Sequence, residues 1–246
     1  MRPNLPRASR QAGVTLVEMM IALTIGLFIA VALGSIFLNA KSAFLAQDAL
    51  ANLHENERLG ISILTTEVQL AGYYPDPGMR NAAEALPAQG NIQTAVQFGA
   101  GQAVAGASGA GGASDTLGVR FVSASGDGLM NCQGSVNTGG SNLLVSNVFT
   151  INANKQLQCA VNGNDPVVLV NNVSAMTVLY GTDSSASGNV DKYLPASDVT
   201  AAGLWSRVKS VQVRLTFATQ FNAAQVGTSA AGTTVWVQNI GVMGTL

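Results

Sequence analysis

With 246 residues, 12 Lys plus Arg against 13 Asp plus Glu and a formal net charge of -1, the chain lacks the cationic surplus needed for a broad grip on nucleic-acid phosphates. Hydrophobic residues make up 48% and charged ones only 10%, a balance that excludes a disordered charged tail and fits one modest domain with its own core plus an apolar segment. There is one histidine and no H-E-x-x-H, C-x-x-C, G-x-x-x-x-G-K or G-x-S-x-G motif, so nothing points to an enzyme, a metal or a cofactor.

The chain opens on a basic leader with Arg2, Arg7 and Arg10, then Gly13-Val14-Thr15-Leu16-Val17-Glu18, then an apolar run from Met19 to Leu38. No ionisable side chain lies between Glu18 and Lys41. As a helix, the run is about 30 Å long, enough to cross a bilayer's hydrocarbon core, and the leader predicts a cytoplasmic N-terminus. An ordinary secretory signal is cut after its apolar segment, at a small-residue site. Here the small residue, Gly13, comes first, so a cut after it removes only the leader and keeps the helix. The carboxylate of Glu18 stands at the threshold of the span, where an ionised group is costly and usually functional. In a lone subunit the helix uses its own backbone donors. The partners left for Glu18 there are therefore few. The plainer alternative is a single-span anchor in which Glu18 only reaches back to the headgroups.

From Lys41 to Gly72 the pattern becomes amphipathic. Leu45, Ala49, Leu50, Leu53, Gly60, Ile63, Leu64, Val68 and Ala71 recur on one side, and Gln47, Asp48, Asn52, Glu55, Asn56, Arg58, Glu67 and Gln69 on the other. No proline occurs between Pro6 and Pro75, so one helix over about 15–72, about 85 Å long, is expected, weakened at Gly26 and Gly34-Ser35. Gly72 and the prolines Pro75 and Pro77 end it. His54 falls on the exposed side, three residues before Glu57, as a solvated or ion-paired group.

Residues 76–114 show no period, and 99–114 are nearly all Gly, Ala and Ser, which predicts a flexible surface loop. Strands are expected at 117–122, 143–145, 148–151, 156–161, 167–170, 174–180, 208–217 and 234–240, in one largely antiparallel sheet covered by the amphipathic half of the helix. The fold class is α+β. Expected units are a leader (1–13), a transmembrane helix (14–40), its amphipathic continuation (41–74), a connecting region (75–115) and a β-rich head (116–246).

Cys132 and Cys159 lie beyond the span, outside the cytoplasm if the N-terminus is inside, so a disulfide between them is expected, with two buried thiols as the alternative. The loop Asp183 to Asp191 loosely follows a calcium loop. Leu194 stands where a bidentate glutamate is needed, however, and a self-contained polar loop is the better reading.

Gly13, Thr15-Leu16, Glu18 and the unbroken apolar helix resemble the type IV pilin class of signal. In that family an integral membrane peptidase cuts after the glycine and methylates the new N-terminus. The resemblance implies that Gly13 and Val14 flank the processing site and that Glu18, with Thr15, serves assembly. Val14 stands where the family more often has phenylalanine or methionine. Downstream, Glu55-Asn56-Glu57-Arg58, Leu70-Ala71-Gly72-Tyr73, Tyr180-Gly181-Thr182-Asp183, Trp205 and the strand Val208 to Phe217 resemble a PilW-type minor pilin.

That resemblance implies a type IV pilin-like fold and a subunit that primes pilus assembly near the filament tip, in support of twitching motility, adhesion or DNA uptake. Its implied partners are the prepilin peptidase, other minor pilins, the major pilin, the assembly machinery and the inner membrane; the charge balance, separately, predicts no stable nucleic-acid binding. It also implies an inner-membrane anchor with a periplasmic head that later joins the filament. A minor pseudopilin of a type II secretion system is one alternative. Another is a pilus-borne binding module using a patch of Lys155, Lys192, Arg207 and Lys209, and a third is a tethered periplasmic enzyme.

Overall fold

The structure, a computed structural model, describes residues 13–93, 96–218 and 233–245; the arginines of the leader lie outside them. One helix, α1 (Leu16–Leu70), runs 55 residues without interruption, about 80 Å. Gly26 and the Gly34-Ser35 pair do not break it. The hydroxyls in its apolar half are satisfied within the helix, Thr24 donating to the Ile21 carbonyl and Ser35 to that of Ala32, each at 2.8 Å. Every residue from 13 to 41 is exposed.

The second half of α1 lies on the head through Leu53, Glu57, Gly60, Leu64, Glu67, Val68 and Ala71. Steps of mostly three and four put these residues on one face. The expected polar side is corrected at Glu67, which is only 4% exposed. It sits one step from Val68 on the buried face, and Asn147 across the interface supplies it with a donor.

The strands form two antiparallel sheets rather than the single sheet expected. The first has the order β1 (Val104–Ala107), β2 (Thr116–Ser123), β3 (Leu143–Ile151), β4 (Gln156–Val161), β5 (Val167–Asn171). The second has the order β7 (Lys192–Leu194), β6 (Val173–Thr182), β8 (Val208–Ala218), β9 (Thr233–Gly241). The chain passes from one sheet to the other through Asn172 alone, whose φ of 62° is a left-handed corner that asparagine tolerates. Val211, Val213, Leu215 and Phe217, the cleanest alternation in the sequence, are all fully buried on the inner face of β8.

The Gly/Ala/Ser tract is also corrected: part of it is β1, paired with β2 from Val104 opposite Val119 to Ala107 opposite Thr116. Its small residues are a packing requirement. A side chain at Gly106 would collide with the Tyr180 hydroxyl and approach the Thr116 carbonyl to 2.7 Å. The segment before β1, which includes the short helix α2 (Ala82–Ala85), is tied down by Arg120 of β2. That guanidinium is fully buried and donates to the carbonyls of Gln102, Pro87, Leu86 and Gly99, with Phe98 stacked 4.7 Å away. Desolvation with no carboxylate partner pushes its pKa down to about 10.

Asp115 joins the two sheets. Its carboxylate accepts from Gly109 N in the β1–β2 connection and from Val178 N in β6, both at 2.8 Å. Helix α3 (Ala196–Ala202) and Trp205 close the same end, Trp205 meeting Tyr180 edge to face at 4.8 Å. At the end of α1 two glycine backbones cross. Gly72, at φ +84°, donates to the Arg120 carbonyl at 2.9 Å, and Gly244 donates to that of Ala71 at 3.2 Å. A side chain on Gly72 would stand 3.1 Å from the backbone of Gly244, so the chain's return to the helix end requires glycine.

Candidate functional site

The N-terminal site is built by the first turn of α1. Its leading N–H groups have no acceptor within the helix, and Thr15 and Glu18 satisfy two of these donors in a capping box. Glu18 Oε2 accepts from Thr15 N and Thr15 Oγ1, each at 2.9 Å, while Glu18 N donates to Thr15 Oγ1 at 3.3 Å. The few partners expected for Glu18 in a lone subunit thus come down to Thr15. The signal was present in the sequence, because Thr-x-x-Glu before an apolar run is the capping-box pattern. Thr15 is therefore the local partner that orients Glu18, and the carboxylate stays on the helix surface, open to a further cation.

Gly13 lies just outside the helix with nothing within 4 Å of the place where a side chain would begin. The fold itself makes no demand for glycine there. Val14 is 77% exposed beside it. Beyond them, α1 presents apolar side chains on all sides from Leu16 to Leu38, with Phe28 77% exposed and Leu16 76% exposed. Such a rod is stable only in lipid or among other helices. Ala22, Gly26, Ala30 and Gly34 recur every fourth residue along one side, a spacing that admits a close helix neighbour.

In the head, Cys132 and Cys159 are joined in a disulfide across 27 residues, with Cα atoms 6.4 Å apart. The bridge pins the β2–β3 connection, where Met130 pairs with Val136, to β4. Asn137 fastens the same connection by donating to the Ser123 and Ser141 carbonyls.

The loop at 183–191 spends its carboxylates internally. Asp183 accepts from Ser187 N and Gly188 N at 2.8 Å, and Asp191 accepts from Ser184 N, Ser184 Oγ and Ser185 N. These donors hold Asp183 below the usual carboxylate range and Asp191 at about 2. His54 is exposed, with Nδ1 at 3.1 Å from Glu57 Oε2, as its position on the helix implied.

The basic residues do not form one patch. Lys192 pairs opposite Thr182, and Arg207 accepts through its carbonyl from Asp183 N, at one end of β6. Lys155 accepts from Val173 N at the other end, nine strand steps or about 30 Å away.

Residues 137–239 match the family model of the type IV pilus-assembly protein W, and residues 8–36 match the prokaryotic N-terminal methylation motif. The fold is similar to that of a type IV-like pilin from Thermus thermophilus, at 11% sequence identity and a TM-score of 0.45, over 78% of this chain and 96% of that one. No curated protein matches the chain in sequence.

Proposed function

We propose that this chain, which matches the type IV pilus-assembly protein W family model over residues 137–239 and the N-terminal methylation motif over residues 8–36, is a minor pilin that primes filament assembly near the tip. In this reading the prepilin peptidase cuts after Gly13 and methylates Val14. The anchored chain crosses the inner membrane once with its head in the periplasm. It then leaves the bilayer by exchanging lipid for the helices of other minor pilins and the major pilin.

One observation carries the proposal: a W-type head rides on a helix whose first half is exposed and apolar on every side, entered through Gly13, Val14 and a capped Glu18. The open space at Gly13 adds support. A glycine that the fold does not require suits a peptidase that must close around the backbone on both sides of the cut. The W-type match favours a pilus over a type II secretion system. The roughly 30 Å between Lys155 and the Lys192–Arg207 end weakens the binding-module reading.

The test is deletion of the gene in its native cells, with complementation by the intact chain and by Gly13→Val. The intact chain is expected to restore surface pili and to begin at Val14 by N-terminal sequencing. Gly13→Val is expected to keep its leader. Normal piliation of the deletion strain, or normal leader removal from Gly13→Val, overturns the proposal.

A further inference from the structure

β9 is the outer strand of the second sheet, and among the described residues no strand lies beyond it. It pairs with β8 in unbroken register over Thr233–Gly241 and contains neither proline nor a charged side chain. The other outer strands are guarded. β7 has three residues and carries Lys192; β1 has four and packs beside α3; the β4–β5 pairing shifts between Leu157 and Gln158. On β9, Val235 is 50%, Trp236 42% and Val237 44% exposed. A long, uncharged, open edge is what a protein ordinarily avoids, because it templates the addition of another strand.

A second observation lies beside that edge. Trp236 and the α1 residues His54, Glu57, Arg58, Ile61 and Ser62 line a groove of about 430 Å³. Glu57 is 2% exposed, and while its Oε2 meets His54, its Oε1 has no hydrogen-bond partner among the described residues. A buried oxygen left without a donor is costly, so the site is incomplete as it stands.

We propose that β9 and this groove receive an extended edge strand from a second pilin-like subunit of the same assembly. The main chain of that strand pairs along β9, and one of its donor-bearing side chains reaches Glu57. The proposal rests on the assembly role argued above. Continuity identifies the occupant: β9 packs against the same α1 whose first half is exposed throughout. A subunit lying along that helix is carried up past His54 to Ser62 and meets the edge there. Subunits held parallel by their helices and related by a screw present different surfaces to each other, so β9 meets a different strand of the neighbour.

The test uses the full chain in its native cells, with a photo-cross-linking amino acid at Val235 and, as control, at Val168 on β5. The expected result is an adduct at Val235 only, mapping by mass spectrometry to a strand of another chain that carries the N-terminal methylation motif. Adding Val237→Lys is expected to cut its yield by about fivefold or more at unchanged protein level with the disulfide intact, since an edge lysine opposes strand addition. An adduct with a second β9, with lipid alone, or no adduct above the Val168 level overturns the proposal. Loss of pili in the deletion strain combined with no adduct at Val235 removes the docking surface and leaves the assembly role standing.

Discussion

The carboxylate of Glu67 accepts from the side-chain amide of Asn147 at 2.6 Å, tying α1 to β3 across 80 residues of sequence. Glu67 is 4% exposed and Asn147 fully buried. Burial raises the pKa of Glu67 from 4.5 to about 7, outweighing the opposing effect of the Asn147 bond.

A direct consequence is a pH-dependent stability. The folded chain holds the Glu67 proton more tightly than the unfolded one between about pH 4.5 and 7, so stability falls as pH rises through that window and is level above it. The loss from this one group is on the order of 3 kcal/mol. Glu67→Gln is expected to remove that part of the slope and to be the more stable form near pH 8. Urea unfolding of the full chain in detergent, followed by tryptophan fluorescence near pH 5 and 8, checks it. An unchanged slope in the variant contradicts the assignment.

Arg120→Met is expected to destabilise the head by about 3 kcal/mol, because it leaves the buried carbonyls of Leu86 and Gln102, and those of Pro87 and Gly99, without their donor. The damage should be local first. Hydrogen exchange at residues 82–107 is expected to rise before exchange in β8 does, whereas uniform acceleration would show that Arg120 does not specifically hold this segment.

Losing the Cys132–Cys159 bridge is expected to lower stability by about 3 kcal/mol, from the chain-entropy cost of a loop of this length. Paired Cys132→Ser and Cys159→Ser substitutions, compared with the oxidised chain in denaturant, measure it. Peptide mapping of unreduced chain isolated from its native cells should return the linked pair.

Glu18 has two separable roles to test. Glu18→Gln keeps an oxygen acceptor for Thr15 and loses the charge, whereas Thr15→Val loses the cap and keeps the charge. If the charge pairs with the amine of a neighbouring Val14, Glu18→Gln should be cleaved and inserted normally yet leave surface pili scarce, and Thr15→Val should be milder. Full piliation with Glu18→Gln at normal protein level would reduce Glu18 to a helix cap.

Long helices and alternating strands were legible because a single periodicity decides them. The expected helix over 15–72 is α1 to within two residues at its C-terminal end, and the buried face of β8 is the one its alternation gave. Where burial comes from several directions, pattern fails. β2 is buried on both faces and has no alternation, and it was legible at 117–122 only as a short apolar run; β1 is so rich in small residues that it resembles a linker. The reason for Gly106 is the Tyr180 hydroxyl, which lies 74 residues later in the chain. Nothing local to Arg120 marks it as buried; the carbonyls that surround it come from residues 86–102. At the N-terminus the capping box between Thr15 and Glu18 was not read, although its Thr-x-x-Glu pattern was there. Glu57, by contrast, carries no local mark of being half-satisfied.

The way α1 enters the head bears on tension. From Leu16 to Lys41 every residue of the helix is exposed, over about 38 Å, and from Leu53 to Ala71 it lies along the sheets, ending where Gly72 and Gly244 cross. A pull directed down the helix axis meets this stripe lengthwise. Leu53, Leu64, Val68 and the backbone bonds at Gly72 and Gly244 then resist together, in shear, instead of parting one after another like a zip. The head is attached so that a pull along the helix axis is shared by the whole contact stripe.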